Sequence, residues 1–260
     1  MQEFLKQIIR EAGYLAKGYY HEGVEKSYKG NPSDIVTVAD RAVSDFLIKK
    51  IRECYPDHGI ISEEVDGEIN PGAEYTWVID PIDGTRNFAN HISLWCTLIG
   101  VTKNNQPYLG AIYDAINDEL YFAEVGKGAF LNDRPIKVSD HHEFDHNYLV
   151  FSAGYGQGYG SYNSTGYKRY YQFLQTIMGD KGHWIHNFGT MLSVGFLAAG
   201  RADAVVLNCG FYHDYLAPYV IATEAGAKWT NSFDKEWKKG EMDIVVANPI
   251  LHKKIIELFK

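Results

Sequence analysis

These 260 residues contain little that would build a covalent or zinc-held scaffold. Cys54, Cys96 and Cys209 are odd in number and lack CxxC spacing, which excludes a zinc ribbon or disulfide framework and suits a reducing compartment. Long apolar runs are missing: none approaches the ~18–20 residues of a membrane-spanning helix. Met1-Gln2-Glu3-Phe4 lacks the basic-then-apolar layout of a secretory signal. Positive charge is in short supply, since 25 Lys and Arg against 33 Asp and Glu leave a net −8. A basic face for nucleic acid is therefore not a global property of the chain. Neither GxxxxGK nor GxGxxG occurs, and the alternating glycines of 154–166 read as a surface loop rather than a phosphate cradle. What is present, 45% hydrophobic and 22% charged residues, is the composition of a soluble globular protein. The expectation is a cytoplasmic protein with no membrane and no nucleic-acid partner.

Hydrophobic periodicity sets out the elements. Phe4, Leu5, Ile8, Ile9, Ala12, Leu15, Ala16 and Tyr19 predict an amphipathic opening helix. Ala39, Ala42, Val43, Phe46, Leu47 and Ile51 predict a second, with Thr37 and Asp40 as a capping pair. Short strands are expected at Gly59–Ser62 and Tyr75–Ile79, then an antiparallel meander through 95–102, 108–113, 119–125 and 129–138. The later half predicts strands at 148–152, 203–208 and 243–247, and helices at 168–178, 190–199, 214–225 and 249–259. Asn248-Pro249 is a good start for the last helix, a side-chain cap followed by proline at the first helical position. The whole reads as one compact mixed α/β (α+β) unit, with an N-terminal subdomain over 1–145 and a C-terminal one over 146–260.

The segment richest in chemistry is Trp77-Val78-Ile79-Asp80-Pro81-Ile82-Asp83-Gly84-Thr85-Arg86-Asn87-Phe88. An apolar strand delivers Asp80, proline stops the ladder, and Asp83 follows three residues later. Two acids this close repel unless a cation lies between them, and Mg²⁺ or Mn²⁺ is the natural one. N–H groups at Gly84 and Thr85 suit a phosphate oxygen. Spacing alone equally allows an Asx turn in which Asp83 merely caps a helix.

Asp80-Pro81-Ile82-Asp83-Gly84-Thr85 with Asn87-Phe88 resembles the first signature of the inositol monophosphatase family, magnesium-dependent and lithium-sensitive phosphomonoesterases. Further segments match in order. They are Asp34-Ile35-Val36-Thr37-Val38-Ala39-Asp40, Ile60-Ile61-Ser62-Glu63-Glu64, Gly128-Ala129-Phe130-Leu131-Asn132 with Arg134-Pro135-Ile136, Gly200-Arg201-Ala202-Asp203, and Glu224-Ala225-Gly226. The resemblance implies a layered α-β-α-β-α sandwich of the sugar-phosphatase type and a homodimer. It implies two to three Mg²⁺ ions held by Glu63, Asp80, the Ile82 carbonyl, Asp83 and Asp214. Glu63 and Thr85 would orient the attacking water with Asp40 steadying Thr85, and Lys29 would lie near the site. Phosphate would rest on Asp83, Gly84, Thr85, Gly189 and Thr190. Charge arithmetic agrees: carboxylates at about −4 and a phosphate ester at about −2 balance three divalent ions at about +6.

Several features depart from the family pattern. His213 stands where the family's second signature has tryptophan, before Asp214-Tyr215-Leu216-Ala217. Val205-Val206-Leu207-Asn208 lacks the glutamate that holds inositol hydroxyls, and His186-Asn187-Phe188-Gly189-Thr190 lacks a frequent arginine. Arg86 is a feature also met in histidinol-phosphate phosphatases, whereas Gly110–Asp114 leans towards the inositol and fructose-bisphosphate branches. The substrate is expected to be a small phosphorylated alcohol, with inositol monophosphate, histidinol phosphate and fructose 1,6-bisphosphate open. Two other functional classes run against these residues. A regulatory protein- or RNA-associated member gains nothing from clustered repelling acids, and a metal nuclease needs the basic stripe this chain lacks. His141, His142, Asp145 and His146 read as a solvated loop rather than a metal tract.

Overall fold

The computed structural model describes residues 1–23, 26–28, 35–143, 148–152, 164–179, 184–208 and 210–259, with 26–28, 35–36, 148–152, 164–168 and 184 described as backbone only. Lys29, Asp34, Asp145, His146, Cys209 and most of the glycine-rich stretch 154–166 lie outside the described residues. Contacts group the chain into two compact units. One comprises Met1–Pro135, Gly189–Leu192 and His213–Ile221; the other comprises Ile136–Phe188, Ser193–Tyr212 and Ala222–Lys260. The first unit thus ends ten residues before the boundary expected at 145 and takes in two short segments from the later half.

In the first unit, α1 (Gln2–Glu22) and α2 (Val38–Cys54) bury the apolar faces their periodicity predicts, including Leu5, Ile8, Ile9, Ala12, Leu47 and Ile51. Thr37 caps α2 in a complete capping box, its side chain accepting from Ala39 N while Asp40 accepts from Thr37 N. A two-stranded ladder pairs β1 (Lys26–Tyr28) with β2 (Ile35–Thr37) antiparallel. The large sheet holds β3 (Gly59–Ser62), β4 (Glu68–Ile69), β5 (Tyr75–Asp83), β6 (Cys96–Lys103), β7 (Gln106–Asp114), β8 (Glu119–Glu124), β9 (Gly128–Leu131) and β10 (Arg134–Ile136). Its order is β10-β9-β8-β7-β6-β5-β3-β4. The expected meander is there, antiparallel from β5 through β9. Its last strand is split in two, because Asn132 and Asp133 adopt φ of 47° and 61° and turn the chain.

The expected strand at Tyr75–Ile79 runs on to Asp83. The ladder to β6 shifts register between Asp80 and Asp83, and this bulge absorbs Pro81, which has no N–H to donate. Thr97 Oγ1 ties the bulge down by donating to the Pro81 carbonyl at 2.9 Å. The five-residue α3 (Thr85–Ala89) follows at once.

In the second unit, β11 (Tyr148–Ser152), β12 (Trp184–His186), β13 (Ala204–Leu207), β14 (Lys228–Thr230) and β15 (Ile244–Ala247) form a mixed sheet in the order β12-β11-β13-β15-β14. Helices α4 (Ser164–Gly179) and α7 (Pro249–Leu258) share its core, with Phe173 and Phe259 stacked at 4.3 Å. Asn248 caps α7 as expected, accepting from Ile250 N and Leu251 N. Helices α5 (Leu192–Ala198) and α6 (Tyr212–Glu224) complete the chain.

One buried group there carries a pH prediction. His252 on α7 is fully buried and lies 2.8 Å from Thr230 Oγ1 through Nε2. That hydroxyl also donates to the Asn231 carbonyl, while the buried Nδ1 has no hydrogen-bond partner and lies 4.0 Å from Asp234 Oδ1. Burial first, then the Lys228 charge, pushes the imidazole down to about 4. At His252 the folded state therefore binds fewer protons than the unfolded chain between about pH 6.5 and 4, and this group's contribution to stability falls with acidification across that window. Chemical denaturation at pH 7, 6, 5 and 4 is expected to show a pH slope less positive by up to one proton in His252→Gln; equal slopes would refute the assignment.

Candidate metal centre

The β5 bulge presents two carboxylates, and α6 brings the third. Asp80, Asp83 and Asp214 each place a carboxylate oxygen within 4.8 Å of the others. Asp80 is 2% exposed, and its Oδ1 is buried with no hydrogen-bond partner. A buried anionic oxygen without a donor is costly unless a cation supplies the missing partner. Burial, followed by the charges of Glu63, Asp83 and Asp214, holds the Asp80 carboxyl well above the usual carboxylate range. Asp83 is pushed up to about 7, by burial and then by Asp214. The donor set is hard oxygen throughout, which suits a small divalent cation. Among the described residues, the site fits a metal.

Asp83 is anchored on one side. Its Oδ2 accepts from Thr190 Oγ1, from Met191 N at 2.5 Å and from the Cys96 thiol at 3.4 Å. Burial pushes that thiol up, so it stays protonated and able to donate. Asp40 behaves in a parallel way. Its Oδ2 accepts from Thr37 N and Thr37 Oγ1 at 2.8 and 2.5 Å, while Oδ1 lies 3.4 Å from Thr85 Oγ1. Helix capping and the approach to Thr85 were alternatives for Asp40 in the sequence; the two oxygens do one each. Burial pushes Asp40 up to about 7, Thr37 opposes this, and the charges of Glu64 and Glu63 add to it. Thr85 Oγ1 also donates to the Ile82 carbonyl at 3.0 Å.

Gly84 links the acid pair to α3 with φ of +89°, and a Cβ there would lie 3.1 Å from both the Leu94 carbonyl oxygen and Thr190 Cβ. Only glycine combines that backbone with that approach. Glu63 follows β3, its N–H donating to the Ile79 carbonyl at 3.2 Å. His213 occupies the tryptophan position, with Nε2 3.4 Å from Asp214 Oδ1.

Asp214 is placed by a glycine seat. Gly100 and Gly110 are cross-strand partners on β6 and β7. A Cβ at Gly110 would lie 2.4 Å from the Ala217 carbonyl oxygen, and one at Gly100 would lie 2.6 Å from Leu216 Cγ. Helix α6 therefore lies with its backbone against the sheet, and Leu216, Ala217 and Val220 are fully buried there.

The structure thus brings Asp80, Asp83 and Asp214 together, sets Asp40, Ile82, Gly84 and Thr85 around them, and leaves Glu63 felt through its charge on Asp80. Thr190, expected on phosphate, spends its hydroxyl on Asp83 beside Gly189. The sequence reading gives Cys96, Met191, Gly100 and Gly110 no part in the site. Their roles come from pairings tens to more than a hundred residues apart, which leave no local signal.

The chain matches the inositol monophosphatase family over residues 1–260. It is 32% identical to the inositol-1-monophosphatase of Bacillus subtilis over 260 residues, covering 99% of this chain and 95% of that protein. It is 29% identical to the fructose-1,6-bisphosphatase/inositol-1-monophosphatase of Aquifex aeolicus, covering 98% and 90%. Among solved structures, the inositol monophosphatase of Anabaena superposes with a TM-score of 0.82 at 29% identity, covering 99% of this chain and 94% of that one. The extragenic suppressor protein suhB of Bartonella henselae superposes with a TM-score of 0.89 at 27% identity, covering 99% and 97%. No helix among the described residues is long and apolar enough to cross a membrane.

Proposed function

The chain belongs to the inositol monophosphatase family, and from that premise we propose that it is a phosphoric monoester hydrolase acting on a small phosphorylated alcohol, inositol monophosphate first. The observation that carries this is the buried oxygen of Asp80 with no partner inside a cluster of three carboxylates. Such a cluster is relieved by a bound cation, or in its absence by protonation, and is of no use to a binding surface. Asp80, Asp83 and Asp214 would hold Mg²⁺, with Glu63 and the Ile82 carbonyl completing the set for two to three ions and Mn²⁺ as a substitute. When bound, the metal neutralises the phosphate, acidifies water and stabilises the leaving oxygen.

The chain's own groups do the rest. Thr85 Oγ1, within reach of Asp40 Oδ1, would orient the water together with Glu63. The N–H groups of Gly84 and Thr85 hold phosphate oxygens. A homodimer in the cytoplasm with lithium sensitivity completes the reading on family grounds. The Aquifex relative, named for both activities, gives fructose 1,6-bisphosphate as the second reading of the substrate.

The test is initial rates of phosphate release from inositol 1-phosphate, histidinol phosphate, fructose 1,6-bisphosphate and 3′-phosphoadenosine 5′-phosphate, with Mg²⁺ and after stripping with EDTA. One dominant ester, released only with metal, is the expected result. Silence on all four with Mg²⁺ bound would sink the substrate reading.

A further inference from the structure

The anchor on Asp83 bears on which cation the centre accepts, and the inference rests on the metal-dependent reading above. Three protein donors converge on a single oxygen, Oδ2: the Thr190 hydroxyl, the Met191 N–H at 2.5 Å and the Cys96 thiol at 3.4 Å. Leu192 N donates to Thr190 Oγ1 at 3.2 Å, which leaves the hydroxyl proton to point at Asp83. Cys96 is fully buried and Thr190 is 8% exposed, so water does not compete for these bonds. A carboxylate oxygen has about two lone-pair directions, and three donors exhaust them. Oδ1 alone is left for a cation.

We propose that Thr190 and Cys96 are positioning residues that make Asp83 a one-oxygen ligand, and that this selects a small six-coordinate cation over Ca²⁺. Ca²⁺ takes six to eight oxygens and gains from carboxylates that offer both, whereas Mg²⁺ demands a tight octahedron and takes one oxygen from each. Occupying Oδ2 removes the two-oxygen mode that Ca²⁺ would use, and it costs Mg²⁺ nothing. The same donors fix the direction in which Oδ1 is presented, as hydrogen bonds behind a ligand do at other metal sites.

The experiment measures Mg²⁺ and Ca²⁺ binding separately by titration calorimetry, without substrate, on the full chain. Thr190→Val keeps the shape and removes the hydroxyl, Thr190→Ser restores a donor, and Cys96→Ala removes the thiol. The ratio Kd(Ca²⁺)/Kd(Mg²⁺) is expected to fall about tenfold or more in Thr190→Val, by less in Cys96→Ala, and to stay near wild type in Thr190→Ser. Equal ratios in all four proteins, with Mg²⁺ still bound, would overturn the proposal and leave the phosphatase reading intact. Wild-type protein that binds no Mg²⁺ would overturn both. Should Thr190→Val fail to fold, Cys96→Ala decides: a lowered ratio supports the clamp, an unchanged one refutes it.

Discussion

Asp80→Asn is expected to lose about 10³-fold in metal-dependent phosphate release while melting higher than wild type in EDTA. The two effects share one cause. Asp80 is buried among Glu63, Asp83 and Asp214, and without metal its charge is opposed from every side. Asparagine removes that charge at nearly constant volume, so the empty centre relaxes; each kcal/mol relieved raises Tm by about 2–4 °C in a chain of this size. With Mg²⁺ the order reverses, because the wild type gains binding energy that the variant lacks.

The pH dependence has a definite sign. Asp80 and Asp83 are held above the ordinary carboxylate range, Asp83 at about 7. At these two carboxyls the folded, metal-free protein therefore binds more protons than the unfolded chain between about pH 4 and 7, and their contribution to stability falls as pH rises. Melting curves from pH 5 to 8 with EDTA should show that decline in wild type and a flatter line in Asp80→Asn. A variant that melts lower than wild type throughout would refute the account.

Gly110→Ala is expected to damage the first unit through a single methyl group. The added carbon would lie 2.4 Å from the Ala217 carbonyl oxygen, so backbone must move, and α6 with it. Overpacking of this kind costs about 1–3 kcal/mol. The larger consequence is functional, since shifting α6 withdraws Asp214 from Asp80 and Asp83, and Mg²⁺ affinity should fall by about tenfold or more. Gly100→Ala is an informative contrast. Its closest obstacle is the Leu216 side chain, with Cγ at 2.6 Å and Ala217 N behind it at 3.1 Å, so combining it with Leu216→Ala should recover part of the metal affinity. No trimming of a side chain rescues Gly110→Ala. Calorimetric Mg²⁺ binding to the three proteins checks this, and wild-type affinity in Gly110→Ala would rule out the glycine seat.

How far the molecule could be read beforehand follows from the range of each interaction. α1, α2, the meander and the cap of α7 were legible because their signals lie within a few residues: apolar periods, the Thr37–Asp40 box, Asn248-Pro249. The two- and three-residue strands β1, β2, β4, β12 and β14 were not expected, being too short to display a period. The strand was expected to stop at Asp80-Pro81, and it continues because a bulge accommodates a proline that would break a regular ladder. The acid pair was readable as local chemistry, and Asp214 was reached through family resemblance. The clamp on Asp83 was invisible, because Cys96, Thr190 and Met191 carry no pattern until folding gathers them.

The separation of those partners along the chain also orders events in time. Thr190 and Met191 bond to an aspartate 107 and 108 residues earlier, and the segment carrying Asp214 comes later still. A ribosome extrudes the strands of the large sheet well before either segment, so a nascent chain can complete β5 to β9 while Asp80 and Asp83 are still wet and their mutual repulsion is weak. The electrostatic cost therefore falls at the last closure, when residues 189–192 and 213–221 join the first unit. A nascent chain that stops short of residue 213 can therefore hold the strands of the large sheet and still lack the Asp214 carboxylate that closes the cluster.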